Sequence, residues 1–466
     1  MKKWHEALKS RFKKWHERIR QLVKMHILKR KIEKKLIDWK NNSNHFPLVI
    51  KGCRQCGKTF SVKKFAHENY KHVVYINFID DVEAKIAFKS FRKIDDLILG
   101  ISSTINGSYF VAGETCLILD EIQECPEARM SLKFFYLDGR FDVIATGSLL
   151  GVKGYKSDSH NYSVPVGYED IITMYPLDYE EFLWANAMPV EAISRLKDCL
   201  DNAQVVPEVL HQRFRKLLLH YTIVGGMPRV VQEFLDTHDM NRVVKQQRII
   251  IDEYKDDMMK YAENIYKPRL REAFESIPRQ LSKENKKFQY SVIKRGAKAT
   301  HYIDALQWIE DAGIICRCHN MQIPELPLDG NSINDQFKVY MVDTGLFMSM
   351  LEDGTQFNVL QGNLMGYKGA IFENLIADIF TKMSRKLYYF SKPSGMEVDF
   401  VFRYKGEATL LEVKATSGNV KSTKTILKHP EKYHITKAIK LGDYNVGVAG
   451  NILILPLYMA FLLRES

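Results

Sequence analysis

The chain has 466 residues, of which 45% are apolar and 27% charged, and its formal net charge is +12. These values are typical of a folded globular protein of two to four domains and exclude a disordered chain. The seven cysteines are odd in number and scattered along the sequence. They exclude a disulfide framework and indicate a reducing compartment, so we expect a cytoplasmic protein.

The first segment, residues 1–27, is a basic extension. Residues 1–40 hold fifteen Lys and Arg against four acids, so the other 426 residues are close to neutral. The sequence KKWHE occurs at 2–6 and again at 13–17. A shift of eleven residues is close to three helical turns, which predicts an amphipathic basic helix. Such a helix could bind DNA or a membrane surface, or it could pack on its own protein.

From residue 46 onward, short β-rich runs alternate with helical stretches. The runs lie at 47–50, 73–78, 115–120 and 141–146. This order predicts a parallel sheet with helices on both faces, in a domain that we place at residues 28–190.

The segment GCRQCGKT, residues 52–59, follows the first of these strands and precedes a helix. It matches the pattern G-x-x-x-x-G-K-[ST], in which glycines let successive backbone N–H groups face a phosphate at a helix N-terminus. We expect Lys58 to reach the β- and γ-phosphates of ATP and the hydroxyl of Thr59 to bind Mg²⁺. The predicted nucleotide-binding residues are Gly52, Cys53, Arg54, Gln55, Cys56, Gly57, Lys58, Thr59, Phe60 and Asp120.

Two acids end the third strand, in TCLILDE. We expect Asp120 to hold the Mg²⁺ shell and Glu121 to orient and polarise the attacking water, which indicates ATP hydrolysis as well as binding. The alternative is a strand end that is merely capped by two acids. The C-x-x-C spacing of Cys53 and Cys56 inside the loop is interpreted as coincidence, because redox or zinc chemistry needs another setting or a second matched pair.

Long polar–apolar helices follow from about residue 183 to 281, and the segment 289–318 has the order helix, turn, helix, strand. That order is typical of a winged helix, and we place this middle domain at residues 191–345. Its start is basic, so it could contact DNA phosphates, or it could only pack between its neighbours. The basic residues are Lys286, Lys287, Lys294, Arg295 and Lys298.

Near the C-terminus, the predicted strand in GEATLLEVKATSG places Glu412 and Lys414 two residues apart, on the same face. A hairpin turning at 404–407 would bring Asp399 beside Glu412. Such a group could be a cross-strand salt bridge or a metal site with a helper cation. The apolar segment 446–463 is broken by Asn451 and Pro456, which predicts a strand, a turn and a short helix and no transmembrane segment.

These motifs resemble prokaryotic AAA-superfamily P-loop ATPases that are fused to a C-terminal domain of unknown function. The ATPase part is matched by GCRQCGKT, YINF, LILDEIQECP, ATGSLL and MYPLDYEEFLWA, and the rest by GGMPRVV, DTGL, KGAIFENLIA and EVDFVF. The resemblance implies that Thr146, rather than Ser148, senses the γ-phosphate. Where this group often has Gly-Arg the chain has Gly167 and Tyr168, so no arginine finger is assigned and Arg229 is only a loose candidate.

The resemblance also implies that residues 346–466 have the restriction-endonuclease-like PD-(D/E)XK fold. Glu373, Asp399 and Glu412 would then bind one or two Mg²⁺ ions, which activate water for attack on a phosphodiester. Lys414 would orient or deprotonate that water. The expected fold class is therefore α/β, with an AAA-type parallel sheet, a helical and winged-helix middle domain and a nuclease-like C-terminal domain.

The function expected from these observations is an ATPase that couples its nucleotide state to a nuclease-like domain acting on DNA. DNA would be bound by the basic extension, the winged helix or the C-terminal domain, and the chain could form a homo-oligomer. One alternative is an ATP-controlled switch that binds DNA or protein through an inactive nuclease-like domain. Another is a peripheral membrane or signalling ATPase anchored by residues 1–27.

Overall fold

The computed structural model describes residues 27–148, 167–261, 266–283, 286–363, 367–414 and 420–465. The predicted basic extension lies outside the described residues, apart from Ile27.

The N-terminal unit is built on a five-stranded sheet in the order β2-β3-β4-β1-β5, in which every neighbouring pair is parallel. This confirms the predicted parallel sheet. Its strands are β1 (Leu48–Lys51), β2 (His72–Asn77), β3 (Thr115–Asp120), β4 (Asp142–Gly147) and β5 (Asp170–Thr173). Its helices are α1 (Lys31–Asn41), α2 (Lys58–Asn69), α3 (Val82–Ser90), α4 (Ile94–Thr104) and α5 (Pro126–Asp138).

The interior strand β3 explains why this sheet needs helices on both faces. All six of its residues are buried. Leu117 and Leu119 join the apolar core on one face, whereas Cys116 and Ile118 join the core on the other. Successive side chains of a strand point to opposite faces, so a continuous apolar run fits a strand that is covered on both sides.

The middle of the chain is helical. Helix α6 (Tyr179–Ala185) begins with a capping box, in which Asp178 and Glu181 each accept a hydrogen bond from the other's backbone N–H. The helices that follow are α7 (Val190–Asp201), α8 (Glu208–Val224), α9 (Pro228–Thr237), α10 (Met240–Tyr261), α11 (Lys267–Leu281), α12 (Tyr290–Ile293) and α13 (Ala299–Asp311).

The C-terminal sheet has eight strands in the order β12-β13-β11-β10-β9-β8-β6-β7. Strand β6 follows α13, pairs antiparallel with β7 and pairs parallel with β8. The sheet therefore crosses the boundary expected at residue 345, and the hairpin after α13 does not stand apart as a free wing. The strands are β6 (Ile315–Met321), β7 (Ser332–Met341), β8 (Leu387–Ser391), β9 (Glu397–Tyr404), β10 (Glu407–Val413), β11 (Ala438–Gly442), β12 (Gly447–Ala449) and β13 (Ile452–Pro456).

The hairpin expected at 404–407 is present, with Tyr404 opposite Glu407 in the antiparallel pair β9–β10. The apolar C-terminal segment contains β13 followed by a short 3₁₀ helix, Leu457–Leu462. Within the described part of the chain, none of the helices has the length and apolar character needed to cross a bilayer. The other helices of this unit are α14 (Thr344–Ser349), α15 (Thr355–Gln361), α16 (Lys368–Lys382), α17 (Lys421–Leu427) and α18 (Pro430–Tyr433).

A buried ammonium joins the three parts of the chain. Lys382 Nζ on α16 lies 3.2 Å from the carbonyl oxygen of Leu177, 2.9 Å from the Tyr221 hydroxyl and 2.7 Å from Asp378 Oδ1. The chain passes close by at Gly226, where a Cβ atom would lie 1.9 Å from the Leu177 oxygen. Only glycine fits there, which gives a physical reason for the GGMP motif.

Candidate functional site

The loop at residues 52–59 has the backbone that a phosphate cradle requires. Gln55 and Gly57 have φ angles of 63° and 98°, in the left-handed region that lets the chain curl. At Gly52 a Cβ atom would lie 2.0 Å from the carbonyl oxygen of Met174, so a side chain is excluded. The loop leads directly into α2, whose first residue is Lys58.

The Lys58 side chain is buried and folds back over this loop. Its Nζ donates to the carbonyl oxygens of Gly52, at 3.0 Å, and Cys53, at 2.8 Å. The ammonium therefore lies against the loop whose bound phosphates it would contact. Flexible single bonds connect it to the backbone of α2.

Asp120, at the carboxyl end of β3, accepts hydrogen bonds from three hydroxyl groups. Its Oδ2 accepts from Thr59 Oγ1 at 2.9 Å and from the Tyr75 hydroxyl at 2.8 Å, and its Oδ1 accepts from Thr146. Hydroxyl and carboxylate oxygens are the hard ligands that Mg²⁺ prefers, so Thr59 and Asp120 fit this ion. Tyr75 was not predicted. Burial, and then Asp120, raise the pKa of its hydroxyl.

Glu121 follows directly and has an unusual backbone. Its φ of 52° is in the left-handed region, which costs a non-glycine residue about 1 kcal/mol or more. Its side chain is only partly buried and accepts a hydrogen bond from the amide of Gln123. Such backbone outliers cluster at functional sites, and this one lies one residue after the predicted metal ligand.

Arg30, which was not predicted to be a site residue, contacts the backbone of the phosphate loop. Its guanidinium donates to the carbonyl oxygens of Cys56, at 3.0 Å, and Tyr175, at 2.7 Å, and lies 3.2 Å from Glu181 Oε2. A planar trans peptide holds its C=O and N–H on opposite sides. The contact with the Cys56 oxygen therefore fixes the direction of the Gly57 N–H.

The cysteines of the loop are part of its packing. Cys53 and Cys56 are both buried, and Cys56 Sγ lies 3.4 Å from the carbonyl oxygen of Met174. The pKa of Cys56 is lowered to about 6, and the hydrogen bond from Cys53 is the largest cause. Burial acts in the opposite direction, whereas the positive charges of Lys58 and Arg30 lower this pKa further. All seven cysteines of the chain are free thiols.

The C-terminal hairpin brings together Asp399, Glu412 and Lys414. Lys414 Nζ lies 2.7 Å from Glu412 Oε2 and 3.6 Å from Asp399 Oδ2. Both carboxylates are buried, so the group is not a salt bridge on a half-exposed sheet. The pKa of Asp399 is raised to about 7, and burial is the largest cause. The negative charges of Glu373 and Glu412 raise this pKa further, whereas the positive charge of Lys414 lowers it.

Glu373 on α16 has ammonium partners of its own. It forms an ion pair with Lys286 and accepts from the Tyr340 hydroxyl at 3.1 Å. The Lys338 side chain is 1% exposed, and its Nζ lies 3.8 Å from Glu373 Oε2 and 2.7 Å from Glu397 Oε1. Burial opposes ionisation of Glu373, but Lys338 and Lys286 outweigh it and hold the pKa of that carboxyl below its usual range.

As placed, these acids do not fit the expected Mg²⁺ site. Across the described ranges, no three His, Cys, Asp or Glu side chains are arranged to hold a metal ion. The physical reason lies in the partners, because Glu373 is paired with lysines and Glu412 with Lys414. Lys286, one of the basic residues that could contact DNA phosphates or only pack against neighbouring segments, is one of these partners. Lys294, from the same basic stretch, lies 3.7 Å from Glu272.

Among solved structures, the chain is similar to a Walker-type ATPase of Pyrococcus abyssi, with 15% identity over 70% of this chain and 96% of that chain (TM-score 0.42). It is also similar to Aeropyrum pernix Orc1 in complex with DNA, with 9% identity over 69% and 91% of the two chains (TM-score 0.28). AMPPCP-bound DnaA from Aquifex aeolicus shares 14% identity over 60% and 86% (TM-score 0.28). No curated protein matches the chain.

Three family models match separate parts of the sequence. Two of them describe domains of unknown function, DUF8612 at residues 215–356 and DUF4143 at residues 368–459. The third is an AAA domain and matches residues 44–183. This range holds the phosphate loop, the five-stranded parallel sheet and the acids at the end of β3. Residues 44–183 are therefore an AAA-type P-loop ATPase domain, the kind of domain that binds ATP.

Proposed function

We propose that the chain is a Mg²⁺-dependent ATPase. The observation that carries this proposal is the oxygen cluster of Thr59, Asp120 and Thr146, formed directly beside the loop that holds Lys58. Thr59 and Asp120 would hold Mg²⁺, which would supply charge neutralisation on the phosphates.

Each residue then has a separate task in hydrolysis. The N–H groups of the loop and the Lys58 ammonium bind the phosphates and stabilise their charge. Thr146 holds the Asp120 carboxylate in place through its hydroxyl. Glu121, one residue further on and less buried, orients the attacking water and accepts hydrogen bonds from it.

ATP turnover by the purified full chain tests this proposal. Lys58→Ala should lower kcat/KM by roughly 10²–10³, since it removes a charged contact to the reacting phosphate. Glu121→Gln should bind ATP but turn it over slowly. Lys71→Ala is the matched control, because Lys71 is 72% exposed and pairs with Glu114 on the surface. Equal turnover in the wild type and Lys58→Ala would remove the loop from the mechanism.

We further propose that the nucleotide state is coupled to a restriction-endonuclease-like C-terminal unit that acts on DNA. The topology supports this assignment. Helix α16 is followed by the antiparallel strands β8, β9 and β10. Helices α17 and α18 then lead to β11, which pairs parallel with β10. Asp399 and Glu412 lie on the two strands of the hairpin, and Lys414 follows the second.

A second candidate is that this unit binds DNA or protein without cutting it, under the control of ATP. The ion pairs favour this reading, because Lys286, Lys338 and Lys414 already neutralise the carboxylates that a metal would need. Removing a buried carboxylate from its ammonium partner is costly, and a metal would have to do so.

Two assays separate the candidates. Plasmid cleavage in Mn²⁺ or Mg²⁺, lost in Asp399→Ala and Lys414→Ala, would establish a nuclease. If the wild type, Asp399→Ala and Lys414→Ala all fail to cleave DNA, and a DNA gel shift changes when ATP is added, the non-cleaving switch would be established. Equal cleavage by all three would assign the activity to a contaminant or to another site.

A further inference from the structure

Helix α10 of the middle segment reaches the phosphate loop. The Tyr254 hydroxyl donates to the carbonyl oxygen of Arg54 at 3.1 Å. One turn later, Asp257 forms an ion pair with the Arg54 guanidinium, although the two residues are 203 positions apart. Arg54 is a loop residue, so α10 is attached directly to the element that receives phosphates.

The two partners differ in their surroundings. The Asp257 side chain is 13% exposed and that of Arg54 is 37% exposed, so the guanidinium has room to move and the carboxylate does not. The pKa of Asp257 is raised, and burial is the largest cause. The positive charge of Arg54 lowers this pKa, whereas the negative charge of Glu121 raises it. Asp257 therefore lies within electrostatic range of the acid that we place beside the attacking water.

We propose that Arg54 is a second phosphate-binding cation of the loop, and that it exchanges Asp257 for the triphosphate when ATP binds. The proposal rests on the nucleotide site proposed above. A guanidinium matches phosphate oxygens with two parallel hydrogen bonds, and a triphosphate carries more charge than one carboxylate. Asp257 then loses its ion-pair partner Arg54 and faces the negative charge of the phosphates, so ATP binding pushes α10 away from the loop.

The contacts of α10 carry this change to other parts of the chain. Near its start, the Gln247 amide donates to the carbonyl oxygens of Ile223, at 2.6 Å, and Val224, at 3.0 Å, at the end of α8. The next residue, Arg248, pairs with Asp353 and donates to the carbonyl oxygen of Ser349 at 3.4 Å. The helix thus links the phosphate loop at one end to α8 and the α14–α15 connection at the other.

Two substitutions that break the same ion pair test the exchange, because it predicts opposite effects on ATP affinity. Asp257→Asn removes the carboxylate that repels phosphate and competes for Arg54, so ATP should bind about tenfold more tightly. Arg54→Ala removes the phosphate contact, so ATP should bind about tenfold more weakly. Titration calorimetry of the full chain with ATP and Mg²⁺ measures both. Asp252→Asn is the matched control, since Asp252 lies on α10 but is 73% exposed and contacts Lys255.

Hydrogen exchange of residues 250–261 provides the second readout. In the wild type, ATP should increase exchange there. In both variants exchange should already be high without nucleotide. If Asp257→Asn and Arg54→Ala shift ATP affinity in the same direction, the ion pair is merely structural and the exchange is overturned. ATP binding by the wild type without a change in α10 overturns it as well. A wild type that gives no heat with ATP contradicts the proposed nucleotide site instead.

Discussion

The phosphate loop and the C-terminal carboxylate cluster use the same residue types in opposite ways. Each places an acid near the end of a strand, Asp120 on β3 and Glu412 on β10, with a lysine nearby. At the first site, Asp120 is held by the hydroxyls of Thr59, Tyr75 and Thr146, which are neutral donors. At the second, Glu373 and Glu412 are held by ammonium groups.

The charge of the partners, and not the acids alone, therefore decides what a carboxylate site can accept. Neutral donors orient Asp120 and leave its charge for an added cation. Lysines balance the charge of the second cluster internally, and exchanging them for a metal would strand buried ammonium groups. The four predictions that follow test this contrast.

The largest effect is expected for Lys338→Met, which removes the buried cation from the second cluster. Glu373 and Glu397 would lose a partner, and breaking one side of a buried ion pair typically costs about 3–5 kcal/mol. Urea unfolding measures the loss. The control is Lys386→Met, since Lys386 and its partner Asp329 are both largely exposed. A loss below about 1 kcal/mol at Lys338 would show that this lysine does not hold the cluster together.

The next prediction concerns pH. Asp399 has a raised pKa of about 7, so the folded chain keeps a proton there that the unfolded chain releases near pH 4. This contribution to stability is fully present below pH 4 and is lost as the pH rises through 7. Asp399→Asn cannot ionise, so its stability relative to the wild type should rise by about 1–3 kcal/mol between pH 5 and 8.

Urea unfolding at the two pH values gives the measurement for Asp399→Asn. The amide oxygen of asparagine can still accept the hydrogen bond from the Val413 N–H, which is 2.8 Å in the wild type. Asp304→Asn, at an exposed position on α13, is the control. A relative stability of Asp399→Asn that does not change with pH would mean that Asp399 is already ionised at pH 5.

At the first site, Thr146→Val keeps the shape of the side chain but removes a buried donor to Asp120. An unsatisfied buried acceptor costs about 1–3 kcal/mol, and ATP turnover should fall because the carboxylate is less well held. Unfolding and turnover are measured side by side. The control is Thr104→Val, whose hydroxyl lies on the surface of α4. A Thr146→Val protein with unchanged turnover would contradict the role given to this hydroxyl.

The smallest effect is expected for Arg30→Lys. Lysine keeps the charge beside Glu181 but cannot hold the Cys56 and Tyr175 carbonyls with one planar fork. ATP affinity should fall about two- to fivefold, as for the loss of about one hydrogen bond, while the fold is retained. Calorimetry measures it against Arg215→Lys, which alters an exposed pair with Asp443. Unchanged affinity would show that the loop keeps its geometry without Arg30.

The sequence revealed features whose signals are local. Fewer than twenty consecutive residues carry the signal for each of three features: the phosphate loop, the acids at 120–121 and the hairpin turn at 404–407. Arg30, Tyr75, Asp257 and Lys338 act through contacts with distant segments, so their spacing carried no signal. Lys338 had one clue, a charge inside the apolar run FKVYMV, the same pattern that drew attention to Glu412 and Lys414.

Two structural differences have similar causes. Strand β5 was not expected, because it has four residues, none of them fully buried, at the edge of its sheet. The sharing of β6 and β7 with the C-terminal sheet was also not expected. Sequence order gave no way to see that β6 pairs with β8, because α14, α15 and α16 separate them along the chain.

The ammonium of Lys382 sets a limit on how this polypeptide can be divided. Its oxygen partners come from the segment before α6, from α8 and from α16 itself. A fragment beginning at residue 346 would keep Asp378 but lose the Leu177 and Tyr221 oxygens around that charge. It would also uncover the edge of β8 that β6 now protects. Such a piece is expected to aggregate, so the AAA domain and the C-terminal sheet are best produced and purified together as one folding unit.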